Sequence, residues 1–275
     1  MAVGKRIVAW LRAHRTAAEL LLLVALYLAY TVSRTLADDR LGPALARAGR
    51  IIDLENAWGM AVEPWANALF VEHTVLGIAG DYWYATTHYV VTAVVIVWLF
   101  RRHPDKYIAA RRALVTATLI ALCFYLAAPT APPRFGFGFT DVMHLHSGIG
   151  WWGADASAPK GLGGLTNELA AFPSMHAGWS LWVALVLAAT LTKPSMRCAV
   201  FLYPTITGIV VIGTGNHWTI DVVVGFLITG AAWWMTSPTG ARRTFSRTPR
   251  PVPTATTPVA VPASGQQVAD HPVGQ

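Results

Sequence analysis

Two histidines and a carboxylate stand out by their spacing. They lie in Phe172-Pro173-Ser174-Met175-His176 and, about forty residues later, in Gly215-Asn216-His217-Trp218-Thr219-Ile220-Asp221. Each segment opens a long apolar run, which puts ionisable groups at helix starts beside a membrane surface, where they are functional candidates. His217 and Asp221 are four residues apart and share a helix face. Asp221 can therefore accept a hydrogen bond from one imidazole nitrogen, fix the tautomer and leave the other nitrogen free to attack. Gly225 continues that face without a side chain and lets another helix approach closely. Pro173 and Ser174 read as a helix start with Ser174 as cap, so His176 falls in a first turn whose N–H groups and dipole favour a bound anion such as phosphate. That place lowers a histidine's basicity and a bound dianion restores it, so His176 can protonate a leaving oxygen. In Pro129-Thr130-Ala131-Pro132-Pro133-Arg134 the prolines stop an apolar run and hold Arg134 just outside it. Its planar fork can pair two phosphate oxygens at once. Singly these residues have plainer readings, as interfacial histidines, a flanking arginine and an aspartate paired elsewhere. Together on one membrane face they outline an acid–base site with a place for an anion.

The elements that must position them are apolar helices. Of 275 residues, 54% are hydrophobic, 13% are charged and twelve are tryptophan, and the mean hydropathy is +0.45. A soluble domain of this size would struggle to keep that balance off its surface, so the chain reads as an integral membrane protein. Apolar stretches of near-bilayer length lie near Ala17–Leu36, Trp83–Phe100, Ala113–Ala128, His176–Leu191, Cys198–Ile212 and Trp218–Met235, where a span takes about 20 residues. The expectation is an all-α polytopic membrane protein with six transmembrane helices and extracytoplasmic interfacial helices. Gly42–Leu69, with Trp58, Met60, Val62 and Trp65 among Asp53, Glu55 and Glu63, suits an interfacial helix more than a seventh span.

The net charge of +7 comes largely from short clusters between the apolar runs. Lys5, Arg6, Arg12 and Arg15 precede the first span; Arg101, Arg102, Lys106, Arg111 and Arg112 fill a loop after the second; Lys193 and Arg197 follow the fourth; Arg242, Arg243, Arg247 and Arg250 follow the last. All fall on one side of a six-span chain, which reads as an orientation signal with both termini cytoplasmic and the histidine motifs extracytoplasmic. It is not a nucleic-acid footprint, and no nucleic-acid partner is implied. A cleaved signal peptide ending near Thr35-Leu36-Ala37 is the competing reading of the N-terminus; the apolar run is longer than a usual signal core, which favours an uncleaved span. Residues 1–16 then form a basic cytoplasmic N-terminus, residues 17–236 a membrane catalytic domain, and the Pro/Thr/Ala-rich residues 237–275 a disordered cytoplasmic tail. Cys123 and Cys198 lie inside apolar runs, where they behave as small hydrophobes and give no sign of redox chemistry.

Pro173-Ser174-Met175-His176 and His217-Trp218-Thr219-Ile220-Asp221 resemble the second and third signature motifs of the type 2 phosphatidic acid phosphatase superfamily of lipid phosphatases and phosphotransferases. The Pro132-Pro133-Arg134 element, with the shortened third motif, is most similar to its inositol phosphorylceramide synthase-like branch. The likeness covers roughly Trp58 to Met235. It implies a six-helix membrane fold, a phosphohistidine intermediate on His217, acid–base work by His176, phosphate binding by Ser174 and Arg134, and a lipid phosphate or phospholipid substrate. Two family cations are missing: the Ser-Arg pair of the third motif is Val210-Val211 here, and the first-motif Lys is Ala127. Lys160, or the histidines His73 and His88, are candidates to replace that charge; for His88 the plain reading is a buried core histidine, and for Lys160 a solvated loop charge.

Water as acceptor would make the chain a phosphatase, and inositol or another polyol would make it a phosphotransferase. A non-catalytic lipid binder or transporter would reuse the same anion site, but the paired broken helices and repeated halves of transporters are not visible. No cofactor or metal is expected, because the carboxylates are few and scattered and the nucleophile is already histidine. A vanadium-dependent halide oxidase shares the motif logic but is expected to be soluble.

Overall fold

The computed structural model describes residues 14–36, 41–153, 156–159 and 167–236. Lys160, most of the basic N-terminus and residues 237–275 lie outside the described residues. The described residues are all-α apart from one small hairpin. Helix α1 is Arg15–Leu36, α2 Leu41–Trp58, α3 Glu63–Glu72, α4 Thr74–Arg102, α5 Pro104–Ala127 and α6 Val142–Leu145. Strands β1 Trp152–Gly153 and β2 Ala156–Pro159 pair antiparallel. Then follow α7 Met175–Thr190, α8 Pro194–Ala199, α9 Leu202–Gly213 and α10 Thr219–Thr236.

Among the described residues, five stretches are long and apolar enough to cross a membrane: Thr16–Leu36, Thr74–Arg102, Pro104–Ala127, Pro194–Gly213 and Thr219–Thr236. The sixth expected span is α7, an apolar helix of 16 residues, or about 24 Å at the α-helical rise. It lies at the centre of the bundle against α4, α5, α9 and α10. The Trp182 indole donates to the Ala110 carbonyl at 2.7 Å and the Trp179 indole to Thr118 Oγ1 at 3.1 Å.

The basic segment expected as a loop after the second span is helical instead. Arg101 and Arg102 end α4, while Lys106, Arg111 and Arg112 lie in α5, with His103 alone between the two helices and Pro104 opening α5. Pro104 fits there because a first-turn residue has no intrahelical use for its missing N–H. Hydropathy marks only the apolar middle of a span, whereas the helix runs on into its polar ends.

The expected interfacial segment forms two helices, α2 and α3. Gly59, at φ 67°, breaks α2 from α3. Its N–H donates to the Asn56 carbonyl at 3.2 Å and the Met60 N–H to the Glu55 carbonyl at 2.8 Å. This left-handed ending satisfies the last carbonyls and favours a residue without Cβ. Trp58 and Trp65 are exposed on either side of the turn, while Glu55 and Glu63 point inward and are fully buried.

Helices α1 and α5 run side by side in the same direction. Near their starts Glu19 accepts from Tyr107 Oη at 2.7 Å and pairs with Arg111. Near their ends Ser33 Oγ donates to the Leu122 carbonyl at 3.2 Å. The two helix starts, and the basic residues on them, therefore share one end of the bundle.

Candidate active site

The site forms where three loops meet over the starts of α7 and α10. The segment after α5 pairs with the one before α7: Thr130 N–H donates to the Leu169 carbonyl at 2.7 Å and Ala171 N–H to the Thr130 carbonyl at 3.2 Å. The turn before α10 is tied to both, since the Trp218 indole donates to the Ala131 carbonyl at 3.0 Å. Trp218 is wholly buried, edge-on to Phe137 and Phe139. Asn67 joins the end of α9 to the outer loop by donating to the Gly213 and Thr140 carbonyls, each at 2.9 Å, and accepting from Thr140 N–H.

The two helix starts touch through backbone. Ser174 N–H donates to the Asp221 carbonyl at 2.9 Å. A Cβ at Gly225 would lie 2.2 Å from the Ser174 carbonyl oxygen, so the close approach depends on glycine. Tyr125 Oη adds a bond of 2.7 Å to the Pro173 carbonyl.

His217 Nδ1 lies 2.9 Å from the Ala171 carbonyl oxygen. A carbonyl only accepts, so Nδ1 carries the proton and Nε2 keeps its lone pair. The expected Asp221 contact is looser: Oδ2 stands 3.5 Å from Nδ1 and accepts from Trp218 N–H at 2.8 Å. Asp221 thus caps its own helix while lying beside the imidazole. Burial, aided by the nearby Arg134 cation, holds His217 neutral, pushing its pKa down to about 3.

Arg134 is fastened on three sides. Its N–H donates to the Gly215 carbonyl at 3.1 Å, Nη1 to Asn216 Oδ1 at 2.6 Å, and Nε faces Asp141 Oδ2 at 3.1 Å. Arg134 and His217 line one cleft, with Tyr84, Asn167, Glu168 and Asn216 among the other walls. The arrangement can hold an anion against the guanidinium and present it to an unprotonated imidazole nitrogen.

The other expected residues sit behind this opening. The His176 ring is 5.5 Å from the His217 ring, centroid to centroid. Ser174 is fully buried, and its hydroxyl accepts from Ala177 N–H at 3.4 Å as the cap of α7. His88 is buried and does not line the cleft; its ring lies 3.9 Å from that of His176. Val210 and Val211, at the places of the absent Ser-Arg pair, are buried in an apolar cluster with Phe70, Tyr84 and Ala177.

Two carboxylates absent from the expected site prove central to its support. Glu63 Oε1 accepts from Thr219 N–H at 2.6 Å and Glu55 Oε1 from Ile220 N–H at 2.7 Å. With Asp221 they occupy the free N–H groups at the start of α10, directly after His217. Burial, together with the charges of Glu63 and Asp221, pushes the Glu55 carboxyl up to about 8. The sequence signal was available: acidic residues inside an otherwise apolar interfacial stretch.

The described helices form a multi-pass bundle whose cleft sets the Arg134 guanidinium and the His217 imidazole in one wall. The chain belongs to the PAP2 superfamily, whose family model matches residues 49–235. That membership supports a lipid function of the phosphatase or phosphotransferase type. No curated protein and no solved structure matches the chain.

Proposed function

We propose that the chain is a metal-independent lipid phosphate phosphatase or phosphotransferase working through a phosphohistidine on His217. The observation that carries this reading is the hydrogen bond of His217 Nδ1 to the Ala171 carbonyl at 2.9 Å, which frees Nε2 in a cleft shared with Arg134. Nε2 attacks phosphorus as the P–O bond to the leaving group breaks, and His176 gives its proton to the departing oxygen. Water or an acceptor hydroxyl then attacks phosphorus, its proton passes to His176, and the Nε2–P bond breaks. Arg134 holds the phosphoryl oxygens, Asp221 steadies the imidazole, and Ser174 fixes the first turn of α7.

Transfer to inositol or another polyol from a phospholipid donor is the second reading, in keeping with the inositol phosphorylceramide synthase-like branch. Asn167 and Glu168 in the cleft wall favour it, since amides and carboxylates suit hydroxyl recognition. Residues 17–236 form the catalytic domain in this proposal, and the cleft opens extracytoplasmically. The shared end of the α1 and α5 starts agrees with the sidedness of the basic clusters.

The test is incubation of purified protein with phosphorus-labelled lipid phosphates and phospholipids, with and without inositol. An acid-labile label on His217 is expected, leaving as free phosphate or in a polyol product. With an activated leaving group, His176→Ala should accumulate the labelled protein, because phosphorylation proceeds and discharge is slow. His217→Ala should form none. Full turnover by His217→Ala, or label on another residue, overturns the mechanism and favours non-catalytic lipid binding.

A further inference from the structure

Resting on that reading of the site, we infer that Tyr84 is a positioning residue for His176, supporting the protonated ring through aromatic stacking. His176 is the second residue of α7. The free N–H groups and dipole of a helix start oppose a positive charge there. Two further imidazoles crowd it, His88 at 3.9 Å and His217 at 5.5 Å between ring centroids. Yet an acid for a poor leaving group must carry a proton when phosphorus is attacked. Something must favour the imidazolium.

Tyr84 is placed to do so. Its ring lies 4.2 Å from that of His176 with only 18° between the planes, and the negative face of an aromatic ring attracts a cation stacked on it. The tyrosine is buried, and it also lines the cleft beside His217. It is one helical turn from His88 on α4, so one helix face supplies both rings that bear on His176. The other titratable groups around His176 are Tyr125 from α5, with His217 and Asp221 from the turn and start of α10. Asp221 is committed to Trp218 N–H, and Tyr125 donates to the Pro173 carbonyl. Tyr84 is the ring stacked nearly parallel on His176.

The role has a readout that simple packing would not move. With an alkyl phosphate ester, turnover should fall at high pH as His176 loses its proton. Tyr84→Leu should move that alkaline limb down by about half to one pH unit, a shift matching a cation–π contribution. Tyr84→Phe keeps the ring face and should leave the limb in place. Tyr84→Leu should also lose more rate with alkyl than with activated leaving groups, which need no acid. Should Tyr84→Leu fail to assemble, Tyr84→Trp, with a stronger ring face, should raise the limb. Equal shifts in Tyr84→Leu and Tyr84→Phe, or a limb that Tyr84→Trp does not raise, would overturn this inference alone. Absence of label on His217 in the unmutated protein removes the reading of the site, and this inference with it.

Discussion

Arg134 has more geometry than charge to contribute. Its Nε and Nη1 already face Asp141 and Asn216, so the guanidinium is held in one plane before any anion arrives. A lysine cannot reproduce two anchored nitrogens and still present donors to the cleft. Arg134→Lys should therefore lower kcat/KM by about tenfold or more, measured on the substrate that labels His217. Unchanged kinetics would make Arg134 a structural flank. At this scale the spacing of His217 and Asp221, the cap at Ser174 and the proline-held Arg134 were all legible in the sequence. The partner of His217 Nδ1 was not, because the Ala171 carbonyl is a backbone atom 46 residues away and every residue carries one. Tyr84 was equally hidden, as one aromatic among many in an apolar run.

The short α2–α3 pair shows how an element acts on the site without entering it. Its glutamates hold the first N–H groups of α10, next to His217. Hydropathy placed this segment near the interface but could not show that Glu55 and Glu63 turn inward, since acidic residues suit an exposed interfacial face equally well. Glu55 stays protonated in the fold to about pH 8, against 4.5 as its ordinary value. Between those values the folded protein keeps a proton that the unfolded chain releases, so rising pH favours unfolding through that window. Glu55→Gln keeps an acceptor for Ile220 N–H and has no proton to lose. Its thermal stability in detergent should gain on the unmutated protein as pH rises from about 5 to 8. Parallel pH profiles would mean that Glu55 does not carry that proton. Glu63→Ala should be destabilising by about 1–3 kcal/mol, because it leaves the part-buried Thr219 N–H without its acceptor.

At the scale of the whole molecule the two histidines owe their meeting to chain direction. The starts of α7 and α10 come together through Ser174 N–H and the Asp221 carbonyl, so the cleft lies at the end of the bundle where both helices begin. The His103–Pro104 turn joins two long spans at the opposite end, as the antiparallel run of α4 and α5 requires, and the start of α1 lies there beside Arg111. In the orientation we propose, the basic residues around that turn place it in the cytoplasm and the cleft on the other side. In a variant with Cys123 and Cys198 replaced by alanine, Leu145→Cys, at an exposed place after the cleft loop, should react with an impermeant thiol reagent added outside intact cells. Asp105→Cys should react only after the membrane is opened. The reverse pattern would turn the cleft to the cytosol and change which lipid leaflet supplies its substrate, while leaving the geometry of His217, His176 and Arg134 untouched.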